Sequence, residues 1–120
     1  MYPQIMYLPY MNKANFYKGC LEPIILQLLS EQGRMYGYEI TQKIKELTRD
    51  ELNITEGALY PLLHRLEAED LLEVELEHIG RRVRKYYRLT RTGKKQTGIV
   101  TTELKTFLQT MQLLLTPKIT

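Results

Sequence analysis

Apolar residues in this chain follow two spacings, and the change from one to the other divides it. Leu21, Ile24, Ile25, Leu28 and Leu29 recur at i, i+3, i+4, i+7 and i+8, the stripe shown by one face of a helix. That spacing predicts a helix opening near Cys20 and closing at Gly33. Pro23 falls in its first turn, where the amides have no carbonyl to bond. A second helix is predicted over 37–47, with Ile40, Ile44 and Leu47 inward and Lys43, Lys45 and Glu46 in water. The polar stretch 48–53 leads to a third, capped by Thr55, whose stripe is Leu59, Leu62, Leu63 and Leu66. Pro61 removes that helix's bond to the carbonyl of Gly57, so an irregular first turn or a start nearer Gly57 is expected.

At Leu72 the period falls to two. Leu72, Val74 and Leu76 alternate with Glu73, Glu75 and Glu77, which predicts a half-buried strand. Residues 83–90 supply its partner, and Gly80-Arg81 suits a two-residue hairpin loop with glycine first. This register sets Leu72 against Leu89 and Val74 against Tyr87 on the inner face. On the outer face it sets Glu73 against Arg88 and Glu77 against Arg84. Apolar matches and opposite charges agree on one register. After Gly93 a long helix is expected to about Leu115, ahead of Pro117.

Three helices, a hairpin and a long helix form the order of a winged helix-turn-helix domain with a carboxy-terminal extension. The expected class is mainly α with a small β-hairpin. Residues 1–17 read as an arm without clear period, interrupted by Pro3 and Pro9, which a start at Met11 would largely remove. Residues 18–92 make the winged domain, and 93–116 a carboxy-terminal dimerisation helix.

Composition narrows the class. A chain of 120 residues holds one core, and 43% hydrophobic with 26% charged residues is ordinary globular material. No apolar run approaches the ~18 residues that span a bilayer. The amino end has tyrosines and prolines where a signal peptide carries an apolar stretch. The single cysteine, Cys20, excludes an internal disulfide and fits a reducing compartment. A cytoplasmic protein with no membrane partner is expected.

Net charge is only +3, but its distribution says more. Eight of 17 basic residues lie within 81–95: Arg81, Arg82, Arg84, Lys85, Arg88, Arg91, Lys94 and Lys95, with no acid among them. The preceding segment, 67–77, holds Glu67, Glu69, Asp70, Glu73, Glu75 and Glu77 and no base. Such sorting predicts one basic surface turned to a polyanion.

The second helix of a helix-turn-helix lies in the major groove with its amino-terminal residues at base edges. Here the third helix of the chain takes that place, and its candidates are Thr55, Glu56, Gly57, Ala58, Tyr60, Pro61, His64 and Arg65. Gly57 and Ala58 let the backbone approach closely, and Glu56 can accept from a cytosine amino group. Tyr60 either reaches DNA or packs. Arg65 either reads guanine or phosphate, or pairs with Glu69 at i+4. Tyr36 and Tyr38, opening the second helix, are further candidates for DNA contact. The hairpin is the wing, and Arg81, Arg82, Arg84 and Lys85 are its candidates for phosphate or minor-groove contact. Exposed pairs with Glu73 and Glu77 contribute only about 0.2–1 kcal/mol each, too little to explain so many cations together.

The last helix carries Leu104, Phe107, Leu108, Met111, Leu114 and Leu115 on one face and polar residues on the other, the pattern of a homodimer seam. Catalysis finds little support. The chain has two histidines, His64 and His78, and one cysteine, and no GxSxG, HExxH, P-loop or paired CxxC. No spacing supports a metal site of Cys20 and histidine, and no cofactor is expected. A dimeric winged-helix module that binds protein and not DNA is the alternative, and the unpaired basic wing tip separates the two.

Three runs then carry a resemblance. Tyr36-Gly37-Tyr38-Glu39-Ile40, the stretch Gly57-Ala58-Leu59-Tyr60-Pro61-Leu62-Leu63-His64-Arg65-Leu66-Glu67, and Arg84-Lys85-Tyr86-Tyr87-Arg88-Leu89-Thr90 with Gly93 are together similar to the PadR family of bacterial regulators. The resemblance covers about 18–95. It implies a homodimer on a pseudo-palindromic operator, usually a repressor, released by a small-molecule effector. The short tail resembles the subfamily with one carboxy-terminal helix. Two features depart from the pattern. Asp70 stands where the family usually has glycine, and the last helix has no tryptophan, Phe107 being its one aromatic residue.

Overall fold

The computed structural model describes residues 17–118. Helix α1 (Leu21–Gln32) is followed by a short strand, β1 (Arg34–Tyr36), and then by α2 (Gly37–Leu47) and α3 (Glu56–Ala68). Strands β2 (Leu72–Ile79) and β3 (Arg82–Leu89) and the helix α4 (Arg91–Leu115) complete the order. The predicted arm, apart from Tyr17, lies outside the described residues.

The strand β1 departs from the sequence reading. It pairs antiparallel with β3, so the hairpin is part of a three-stranded sheet ordered β1-β3-β2. The hairpin register is as expected, with Leu72 opposite Leu89, Glu73 opposite Arg88, Val74 opposite Tyr87 and Glu77 opposite Arg84. The core joins Ile25, Leu26 and Leu29 of α1, Ile40 and Ile44 of α2, and Leu59, Leu63 and Leu66 of α3 to Met35, Leu72, Tyr87 and Leu89 of the sheet.

Several expected inward positions differ. Leu26 is fully buried, because α1 packs against α4 and also against β1 and β3, so more than one of its faces is covered. Leu47, expected inward, is 62% exposed at the end of α2. Leu76 is 60% exposed, because nothing of the core extends beneath the hairpin beyond Val74. Leu62 is half-buried.

Helix α3 starts at Glu56, capped by Thr55 Oγ1, which accepts from the Ala58 amide at 3.1 Å. Pro61 sits inside it without interrupting it, and the carbonyl that loses its donor belongs to exposed Gly57, where water can replace the bond. Helix α4 begins at Arg91, earlier than expected, with Thr90 Oγ1 accepting from the Gly93 amide at 2.9 Å. Gly93 is therefore inside the first turn, pressed against the Leu71 carbonyl, where a β-carbon would overlap. The expected boundary at 92/93 falls within that turn.

Candidate nucleic-acid interface

Burial of Leu59, Leu63 and Leu66 turns the opposite side of α3 outward. Glu56, Gly57, Ala58, Pro61, His64 and Arg65 are all exposed along it, a strip of small and polar groups at the spacing of one helical face. Thr55 heads that strip as the cap.

Tyr60 is placed differently. It is half-buried against α2, its ring lying over the backbone of Gly37, and its hydroxyl donates to Glu56 Oε1 at 3.3 Å. Burial, and then the neighbouring Glu56 carboxylate, raise its phenol above the ordinary tyrosine value. The Tyr60 and His64 rings are neighbours, with centroids 6.2 Å apart. Arg65 is engaged on two sides, at 2.6 Å from Glu22 of α1 and 3.1 Å from Glu69. In the free chain Tyr60 thus packs against α2, and Arg65 ties α3 to α1.

At the start of α2, the Tyr36 amide donates to Glu39 Oε1 at 3.3 Å. Tyr36 is half-buried, and Tyr38 is 53% exposed one turn-edge away. Tyr36, Gly37 and Tyr60 form one wall of a cleft whose other wall is the wing, with Ile79, Arg82, Val83, Arg84 and Lys85. The start of α2 and Tyr60 of α3 therefore face the wing across a common space.

The four wing cations are not equivalent. Among the described residues no acid pairs with Arg81 or Arg82, both exposed at the tip. The expected Arg84–Glu77 pair is replaced: Arg84 lies 4.1 Å over the Tyr36 ring, while Glu77 accepts from Arg34 at 3.0 Å. Lys85 is 3.9 Å from Glu67 of α3. Arg88 pairs with Glu73 at 2.9 Å, as expected. The basic run is also divided, since Lys94, Arg34 and Arg88 line a different hollow beside Gly33.

A family model described as the transcriptional regulator PadR-like family matches residues 25–99, which hold α2, α3, the whole sheet and most of α1. The chain belongs to the PadR-like family. A protein of Lysinibacillus sphaericus is 39% identical over 87 residues, 70% of this chain and 77% of its own length. Among solved structures, a transcriptional regulator from Clostridium thermocellum is similar with a TM-score of 0.79 at 28% identity, covering 88% of this chain and all of that one. A PadR-like transcriptional regulator from Bacillus cereus has a TM-score of 0.72 at 32% identity, covering 85% and 97% of the two chains. The winged-helix architecture and a role in transcriptional regulation follow.

The PadR-like chain has a second distinctive surface on α4. Val100 packs on the core, and Thr101 donates to Gln27 of α1 at 3.4 Å, so the first half of the helix is docked. Beyond it, Leu104 and Met111 are half-buried and Phe107, Leu108, Leu114 and Leu115 are exposed, the last two above 70%. Leu104 and Leu108 edge an apolar groove completed by Ile24, Leu28, Leu47 and Leu52. Leu47 belongs to this groove, which explains an apolar residue at that exposed position. No helix among the described residues is long and apolar enough to cross a membrane.

Sequence reasoning missed Arg34. Its side chain donates to both Glu75 and Glu77 and covers Tyr86. No local pattern could have signalled this, because its partners are more than 40 positions away.

Proposed function

We propose that this chain is a homodimeric, sequence-specific DNA-binding regulator of the cytoplasm, acting as a repressor on an operator with inverted half-sites. The observation that carries this reading is a wing tip whose Arg81 and Arg82 have no acidic partner among the described residues, together with the exposed strip of small and polar groups along α3. A duplex carries about one negative charge per 1.7 Å, and unpaired arginines on an outstretched hairpin are suited to it. A module that binds only protein has no need of them.

In this reading Thr55, Glu56, Gly57, Ala58, Pro61 and His64 approach base edges in the major groove. Tyr36 and Tyr38 flank the backbone at the start of α2. Arg81 and Arg82 meet phosphates or the adjacent minor groove, and Arg84 and Lys85 support them from the return strand. Tyr60 sets the spacing of α2 and α3, and Arg65 holds α3 on α1. The second copy lies along Leu104, Phe107, Leu108, Met111, Leu114 and Leu115 and fills the groove beside Leu47. A small-molecule effector that relieves repression would bind at that seam, where Phe107 is the one aromatic side chain that α4 supplies.

Selection of bound genomic fragments by the purified protein at about 150 mM salt, where non-specific binding is weak, tests the reading. Enrichment of an inverted repeat with half-sites about one helical turn apart is expected. No enrichment from a protein that is dimeric in solution would favour the protein-binding module.

A further inference from the structure

The far half of the wing has no core beneath it. Leu76 and Val83, on the face that nearer the base is buried, are 60% and 54% exposed. A free two-stranded ribbon twists and bends readily. Something other than core packing must fix the direction of the tip.

The outer face of the sheet supplies it. Arg34 stands on the edge strand β1, yet its guanidinium reaches across β3 to β2, the strand that β1 does not touch. It covers the Tyr86 ring at 3.9 Å and donates to Glu75 Oε2 at 2.8 Å and Glu77 Oε2 at 3.0 Å. A reciprocal pair locks it from the other direction, Arg84 of β3 lying 4.1 Å over Tyr36 of β1. Between the two arginines the Tyr36 and Tyr86 rings meet edge to face, with centroids 5.6 Å apart and planes at 83°. The ladder runs onward into the helices, because Tyr36 caps α2 and the next residue, Gly37, bears the ring of Tyr60 from α3.

We propose that Arg34 is a positioning residue for DNA binding: by joining all three strands across the outer face, it fixes the wing relative to α3 and so sets where Arg81 and Arg82 meet phosphate. The proposal rests on the DNA-binding reading above. Arg34 is not itself assigned a phosphate, since two carboxylates already occupy its fork.

Glu75→Gln with Glu77→Gln separates positioning from bulk charge. Removing two negative charges should by electrostatics alone tighten binding to DNA. Positioning requires the opposite. The full chain is titrated against a labelled mixed-sequence duplex between about 50 and 200 mM salt, with Arg81→Ala/Arg82→Ala as reference. The reference should lose about one unit of salt slope per lost phosphate contact. The Glu pair variant should weaken binding on the order of three- to tenfold and lose slope in the same way. Combined with the reference it should lose little more, since both act through the same contacts. Arg34→Lys keeps the charge but not the planar fork and should behave like the Glu pair variant; it carries the test if the latter fails to fold. Tighter binding with the full slope, or additive losses, would overturn the proposal. Failure of the unaltered chain to bind, or a reference with unchanged slope, would instead overturn the DNA-binding reading.

Discussion

The phenol ring of Tyr60 rests on the backbone of Gly37, so closely that a β-carbon at 37 would overlap its outer atoms. The contact joins the first turn of α2 to the middle of α3 and fixes the spacing of the helix-turn-helix pair. Gly37→Ala should therefore destabilise the fold by about 1–3 kcal/mol through overpacking, outweighing any gain in helix propensity at a first-turn position. Replacing Tyr60 with Leu in the same chain should return much of the loss. Thermal unfolding of the two single variants and the double variant measures the coupling. Additive losses would show that the ring moves aside freely.

Asp70 offers a gain. It closes α3 in a left-handed conformation, φ 62°, with the Leu71 amide bonded to the Leu66 carbonyl at 2.9 Å and its own amide to Glu67 at 3.0 Å. This is a Schellman ending, with buried Leu66 and Leu71 as its hydrophobic contact. The position favours glycine, and the bond from Thr90 Oγ1 goes to the backbone carbonyl of Asp70, which any residue retains. Asp70→Gly should stabilise by about 0.5–1 kcal/mol, the left-handed penalty partly offset by the entropy glycine loses on folding. Calorimetry should show a higher Tm; a lower one would mean that the carboxylate contributes more than the strain costs.

What the sequence made legible depended on how many neighbours each residue needed. The hairpin register was readable because apolar and charged positions constrained it independently. The bounds of α2 and the Thr55 cap were local and came out as expected. Leu47 and Leu76 misled because periodicity reports which face is apolar, not where the neighbouring element ends. β1 spans only three residues, too short for a period to declare itself. Without β1 the order of the sheet was hidden, and with it the placement of Arg34 over β2. The packing of Tyr60 and the pairing of Arg65 with Glu69 were legible only as one of two alternatives for each residue. Tyr60 and Arg65 differ from their neighbours only through α2 and α1.

The Arg34 clamp should respond to pH with a definite sign. The hydrogen bond from Arg34 holds the Glu75 carboxyl below the usual carboxylate range, opposed by a smaller desolvation effect and assisted last by the charges of Arg34 and Arg88. A carboxyl depressed in the folded chain contributes stability above its unfolded pKa and loses it as pH falls through the folded value. Arg34 stays charged throughout. The Tm difference between the unaltered chain and Glu75→Gln should be steady at neutral pH and shrink toward zero as pH drops below the ordinary carboxylate range. Both partners are solvent-accessible, so added salt should reduce the difference as well. A difference that persisted at low pH would place its origin in packing.

The proposed dimer rests on the α4 stripe. Burying its six apolar side chains is worth on the order of 9–18 kcal/mol, an upper estimate, against an association cost of about 4–15 kcal/mol. The stripe alone would thus leave a marginal dimer, and the groove formed with Ile24, Leu28, Leu47 and Leu52 would add apolar area to the proposed seam. Leu108→Glu with Met111→Glu would place two carboxylates in the middle of that seam. Neither residue belongs to the core cluster, so the winged domain should keep its circular dichroism. Sedimentation should then show monomers where the unaltered chain forms dimers, and affinity for a two-half-site operator should fall far more than affinity for a single half-site. A dimer that persisted would locate the interface elsewhere, and an unaltered chain found monomeric at the same concentration would remove the inverted repeat from the proposed operator.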